Sequence, residues 1–195
     1  KWKLIRNKDN KGYVSSFNQS IENTTGDLIF LCDHDDIWDK RKIKTMSTIF
    51  SENRNVILLA TRFKPIDAVG NIIKIRSYPL HSNNNLIRRH VKVNKCTKIS
   101  FKEVCTYNIS PGCTEAFRRE LKSVFLKQEI KDIPLIHDWK LNIIASFMKG
   151  LYYYNGITVY YRLHENNTVG FQVQKNITSR IEIYRKMIEQ KVLIK

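Results

Sequence analysis

Apolar and polar positions fall in blocks whose lengths set the expected elements. Trp2-Lys3-Leu4-Ile5-Arg6 has the length of a short strand, and Asn7–Gly12 is polar and turn-rich. From Tyr13 to Thr25, Val14, Phe17 and Ile21 recur at helical spacing, with Gly26 as a natural stop. Leu28–Cys32 is an unbroken apolar run, the form of a strand buried on both faces. Trp38–Phe50 predicts a second helix with Ile43, Met46 and Phe50 turned inward, and Val56–Phe63 another buried strand. Pro65–Asn71 reads as a turn, with Ile72–Ile75 returning as a hairpin.

Residues 78–98 are polar and Asn-rich without a clear period, which predicts a long loop. Ser110-Pro111-Gly112-Cys113 marks a tight turn, and Arg118–Leu126 a helix. Pro134 breaks the chain before His137-Asp138-Trp139, which opens a helix running to Lys149 and capped by Gly150. Leu151–Tyr161 is β-prone and split by Asn155-Gly156, a hairpin signal. Arg162–Gly170 is a polar loop. The stretch from Ile177 to the end reads as a basic amphipathic helix carrying Ile181, Ile183, Tyr184, Met187 and Ile188. Alternating strands and helices predict an α/β domain over residues 1–170 with a largely parallel sheet, followed by the helix at 171–195.

Composition narrows the class. At 195 residues the chain holds one domain with at most a small appendage, and 42% hydrophobic with 27% charged residues excludes a disordered tail or a fibre. Lys and Arg number 34 against 18 Asp and Glu, a surplus of +16 that calls for an anionic partner: nucleic acid, a phosphorylated substrate or an acidic membrane face. Cys32, Cys96, Cys105 and Cys113 show no CxxC spacing and no neighbouring histidine cluster, so free thiols in a reducing cytosol are expected rather than a zinc site. No stretch reads as a signal peptide or a transmembrane helix.

Chemistry concentrates where the second apolar run ends, at Asp33-His34-Asp35-Asp36. Ligands of open α/β sheets bind at the carboxyl ends of strands. Carboxylates crowded there repel one another unless a cation lies among them, and a hard divalent ion held by one or two carboxylates plus phosphate oxygens resolves the conflict. The plainer alternative is a solvated turn in which Asp36 caps the next helix.

Leu28–Trp38, as LIFLCDHDDIW, resembles the DxD segment of family-2 inverting glycosyltransferases, in the form seen in the rhamnosyltransferase-like branch that builds bacterial surface polysaccharides. Asn10-Lys11-Gly12, Gly112-Cys113-Thr114 with Phe117-Arg118-Arg119, His137-Asp138-Trp139, and Tyr161-Arg162-Leu163-His164 with Asn166-Asn167 resemble further segments of that family in the same order. The resemblance implies a GT-A fold, Rossmann-like, with a nucleoside-diphosphate sugar donor, Mn²⁺ or Mg²⁺, and inversion at the anomeric carbon. It implies Asp35 as a metal ligand, with His164 as a further ligand or leaving-phosphate contact. Asp33 then lies near the ribose, Asp36 either supports the ion indirectly or caps the helix, and Asn10, Gly12 and Arg162 serve the nucleotide-sugar.

By the same resemblance Asp138 is the general base that takes the acceptor hydroxyl's proton. Its place near a helix N-terminus predicts a carboxylate kept ionised by the helix dipole, and so a weakened base. Gly112 allows a close approach of sugar or acceptor, and Trp38 and Trp139 are candidate sugar platforms, or else core residues. The run Lys40, Arg41, Lys42, Lys44 reads as a solvated helix face. With Arg88, Arg89, His90, Lys92 and the C-terminal helix it also predicts peripheral contact with an anionic leaflet on the cytoplasmic side, where a glycan or lipid-linked acceptor would be met.

The family's opening strands and base pocket have no counterpart here, so the domain is expected to be N-terminally truncated, with weak donor binding and marginal stability. Two other readings stay open: a metal-dependent nuclease or phosphoryl transferase, and a non-catalytic remnant. Nucleic-acid binding is not expected, because basic residues are spread along the chain and no recognition motif appears.

Overall fold

The computed structural model describes residues 3–74, 91–106, 108–127 and 136–164. The loop from 78 to 90, the break at Pro134, the Asn166-Asn167 loop and the helix expected from Ile177 lie outside the described residues. In chain order the elements are α1 (Gly12–Glu22), β1 (Leu28–Phe30), β2 (Ile37–Trp38), α2 (Lys42–Glu52), β3 (Leu58–Ile66), β4 (Cys96–Lys98), α3 (Phe101–Thr106), a 3₁₀ turn (Gly112–Thr114), β5 (Ala116–Arg118), α4 (Arg119–Lys127), α5 (His137–Phe147) and β6 (Leu151–Arg162).

The unbroken apolar runs are strands with a helical layer on each face. Ile29, Leu31, Leu58, Ala60, Leu151 and Tyr153 join one core with residues of α1, α3, α4 and α5. Leu28, Phe30, Leu59, Tyr152 and Tyr154 point the other way, onto Met46 and Phe50 of α2. Alternate residues of one strand therefore serve different cores, which is why the runs carry no polar positions.

The sheet runs β1-β5-β3-β6-β2, with β4 also on β6. Its longest pairing, β3 with β6, is parallel, as expected, but β1–β5, β3–β5, β2–β6 and β4–β6 are antiparallel, so the sheet is mixed rather than largely parallel. The fold class is α/β, and the connections through β2 and β5 reverse strand direction.

Several local expectations shift. Residues 3–6 are not in a strand. Ile37 and Trp38 form a strand rather than opening a helix, and α2 starts at Lys42. Ile43, expected inward, is 55% exposed, and Lys42 takes the buried place at 1%. The stripe is thus 42, 46, 50, spaced by four, rather than 43, 46, 50. The hairpin after Pro65 is present as a bridge between Ile66 and Ile72.

Asn155-Gly156 makes no hairpin. It is a bulge inside β6, whose register on β3 jumps from Thr61–Tyr154 to Arg62–Ile157 and then to Phe63–Val159. A Cβ on Gly156 would lie 2.1 Å from the ring of Tyr154, so any side chain there displaces that ring. α5 closes with Lys149 in the left-handed region (φ 59°) and the Gly150 N–H on the carbonyl of Ala145.

Candidate active site

The acid turn follows β1 and is bounded by the last residues of β6. Asp36 Oδ1 accepts the backbone N–H of Arg162 at 2.9 Å, and the carbonyl of Asp35 accepts Arg162 Nε at 2.7 Å. Two residues further on, His164 Nε2 lies 3.0 Å from Asp35 Oδ2. About 3 Å is also the separation of adjacent ligand atoms around a six-coordinate ion with bonds of about 2.1 Å. A carboxylate and an imidazole suit Mn²⁺, and the carboxylate suits Mg²⁺, with diphosphate oxygens and water completing either shell. The pair therefore fits the expected ion.

Asp33, Asp36 and Cys113 offer a second group of potential ligand atoms within 4.8 Å of one another. Behind them lies Lys42, whose ammonium donates to the carbonyl of Cys113 and stands 3.9 Å from the centroid of the Trp38 ring. Its charge acts on Cys113, Cys32, Asp36 and Asp33, and burial pushes its pKa down to about 8. Burial also holds the Cys113 thiol well above its ordinary value, so it is protonated and a poor ligand. The ammonium lowers the Asp33 and Asp36 pKa values only slightly against burial, so this group keeps an unanswered demand for positive charge. Asp35 with His164, which meet across 129 residues of chain, form the other candidate seat.

Asp33 has its pKa pushed up to about 6, first by burial and then by the Asp36 and Asp35 charges. Asp36 is also raised, with burial the leading cause. The expected mutual repulsion is present, but desolvation is the larger effect. A cavity of about 360 Å³ opens beside this turn, lined by Ser16, Phe17 and Ser20 of α1 and by Cys32, Asp33 and His34. Asn10 and Gly12 stand at the start of α1, where Asn10 Oδ1 accepts the Gly12 N–H at 2.9 Å and Gly12 adopts φ +77°.

The 3₁₀ turn after Pro111 meets the first turn of α5. Asp138, 4% exposed, accepts the Gly112 N–H on Oδ2 at 3.0 Å and the Trp139 N–H on Oδ1 at 2.6 Å. The helix dipole alone would keep this carboxylate strongly ionised. Burial wins instead and raises its pKa to about 7, while hydrogen bonds from Trp139, Gly112 and Asn108 pull the other way and the Asp33 charge adds to the rise. The result is a stronger base than expected, matched to neutral pH.

His137 stacks on Phe17 with centroids 3.9 Å apart, and burial holds it neutral at about 4. Behind Asp138, Asn142 Nδ2 donates to Asn108 at 2.9 Å and to Glu115 at 2.7 Å. Glu115 is fully enclosed, and burial raises it well above the ordinary carboxylate range.

Other expectations are corrected. Trp139 is a core residue, 7% exposed, with its indole N–H on the carbonyl of Val104 at 2.6 Å, so its face is not offered to a sugar. Trp38 is half-buried between Phe30 and Lys42. Lys42 is no solvated helix residue. Its spacing with Met46 and Phe50 could have shown this, and the Glu115–Asn142–Asn108 cluster gave no comparable signal.

The sequence model of glycosyl transferase family 2 matches residues 1–124, which take in the acid turn, Lys42 and the Gly112 turn. In fold the chain is similar to residues 1–349 of S. aureus TarS, solved in complex with UDP-GlcNAc, at 12% identity and a TM-score of 0.54. The likeness covers 88% of this chain and 45% of that one, so the chain spans less than half the length of TarS. No curated protein matches the chain. Among the described residues no helix is long and apolar enough to cross a membrane. With nearly two thirds of its length matched, and the acid turn standing where β1 ends, the chain belongs to glycosyl transferase family 2.

Proposed function

We propose that the chain is the catalytic part of a metal-dependent, inverting glycosyltransferase that moves a sugar from a nucleoside-diphosphate donor to a glycan or lipid-linked acceptor in bacterial surface polysaccharide synthesis. The observation that carries this reading is the meeting of Asp35 with His164 at 3.0 Å, across 129 residues of chain. A divalent ion bound there supplies electrostatic stabilisation of the departing diphosphate. Asp35 and His164 would hold it, and the cavity along α1 leaves room for the donor beside Asp33.

Asp138 takes the proton of the acceptor hydroxyl as that oxygen bonds to the anomeric carbon and the bond to the diphosphate oxygen breaks. With a pKa of about 7 it is ionised in a useful fraction at neutral pH, yet basic enough to accept a proton. The N–H bonds from Gly112 and Trp139 fix its orientation. The surplus of +16 supports contact with an anionic membrane face on the cytoplasmic side, where lipid-linked acceptors lie.

The test is a panel of nucleotide-sugars with Mn²⁺, followed by release of nucleoside diphosphate. Donor-dependent release that falls with Asp35→Ala, with Asp138→Asn and on chelation supports the reading. Release that ignores all three overturns it.

A further inference from the structure

We propose that Arg162 is a positioning residue that sets His164 against Asp35, and not a contact to the leaving diphosphate. The inference rests on reading Asp35 and His164 as the ion-holding pair. Arg162 is the last residue of β6 and is tied to two separate turns. Its backbone N–H goes to Asp36 Oδ1 at 2.9 Å and its Nε to the carbonyl of Asp35 at 2.7 Å. Its Nη1 donates to the carbonyls of Asp67 at 3.1 Å and Ala68 at 2.8 Å, in the turn that follows β3. The next residue is held as well, with the Leu163 N–H on the carbonyl of Ile66 at 2.9 Å.

A strand end frays unless its backbone groups are answered, and here the bonds fall within two residues of His164. The guanidinium is a planar fork whose nitrogens reach three carbonyls, in two separate turns, at once. An ammonium is a point donor and cannot span them. Arg162 thus joins the acid turn, the 67–71 turn and the end of β6 into one rigid corner, and the imidazole hangs from that corner.

The experiment uses the whole 195-residue chain and two readouts. The first needs no metal: nitrogen-15 NMR of the His164 ring, with and without Asp35→Ala, in the native and Arg162→Lys backgrounds. We expect Asp35→Ala to move the ring signals in the native chain and to leave them nearly still in Arg162→Lys, where the pair is already apart. Equal movement in both backgrounds overturns the proposal. Arg162→Gln repeats the measurement should the lysine variant not fold.

The second readout is Mn²⁺ alone, titrated by electron paramagnetic resonance. Loss of a residue that orients a ligand weakens metal binding about 10- to 100-fold, and we expect this of Arg162→Lys. Adding His164→Ala to it should cost little more. Unchanged Mn²⁺ affinity with weakened nucleoside-diphosphate binding would make Arg162 a phosphate contact and overturn the proposal. Native Mn²⁺ binding indifferent to Asp35→Ala would sink the ion reading instead, while the NMR result still decides the role of Arg162.

Discussion

Asp138 Oδ2 receives the backbone N–H of Gly112 at 3.0 Å, across a contact that a side chain at 112 would crowd. A Cβ at position 112 would stand 2.9 Å from His137 Nε2 and 3.3 Å from the Asp138 Cβ. Both neighbours belong to the packed first turn of α5, so an added methyl displaces the His137 ring or the Asp138 side chain. Gly112→Ala should therefore cost about 1–3 kcal/mol of stability, as overpacking does. It should also lower kcat more than KM for the donor. Thermal melts and steady-state kinetics on the same preparation check both parts.

The proton affinity of Asp138 makes two linked predictions. Turnover should rise with pH through about 7 as the carboxylate ionises. Stability should move the opposite way. A carboxyl whose folded pKa exceeds its unfolded value stabilises fully below the unfolded value, and that contribution is lost as pH rises through about 7. Asp138→Asn keeps an oxygen for the Gly112 N–H, turns its NH2 on the Trp139 N–H at a cost that does not depend on pH, and removes the buried charge. The variant should be inactive, and its stability relative to the native chain should be greater at pH 8 than at pH 4 by up to roughly 4 kcal/mol. A stability difference flat across pH would contradict the burial of this carboxyl.

Lys42→Met fills the same space without the charge. Asp33, pushed to about 6 in the native chain, then rises further, and its contribution is again present at low pH and lost as pH rises. The variant should lose at most about 1 kcal/mol more at pH 8 than at pH 5, because Lys42 is the smallest influence on Asp33 and is itself half neutral by pH 8. Urea unfolding at the two pH values measures the difference.

Asp35→Ala and His164→Ala should separate activity from stability. Both side chains lie at the solvent edge, 20% and 27% exposed, and an ion pair there contributes at most about 1 kcal/mol. Each substitution should cut Mn²⁺-dependent diphosphate release at least about 100-fold while the melting temperature moves by only a few degrees. A large drop in stability from either would point to a structural role instead.

The parts of this fold that can be read from sequence are those set by burial on two sides. Leu28–Leu31 and Leu58–Ala60 have no polar position because each face meets a helical layer, and that pattern is local. Lys42 misleads because a binary pattern counts lysine as polar, whereas this one is solvated by the Cys113 carbonyl and the Trp38 ring, 71 residues away in one case and next to the helix in the other. Asn155-Gly156 carries the strongest hairpin signal in the chain, yet pairing of β6 with β3, β4 and β2 outweighs it. For Asp138 the helix start is visible, but not the enclosure by Gly112, His137 and Asn108 that reverses the dipole's effect. The acid turn is legible as chemistry, and the buried ammonium beside Asp33 and Asp36 is not.

In β6, twelve residues stand opposite nine of β3, and the surplus is absorbed at the two register jumps before the strand reaches Arg162. Those jumps work as a spacer. Excising one residue there would draw the strand's far end back by about 3.3 Å and turn every later side chain to the other face. His164 would then swing away from Asp35, although nothing near either residue had been altered. Indels in the tyrosine-rich stretch should thus silence the chain from a distance, a liability that point substitutions on its exposed positions do not share.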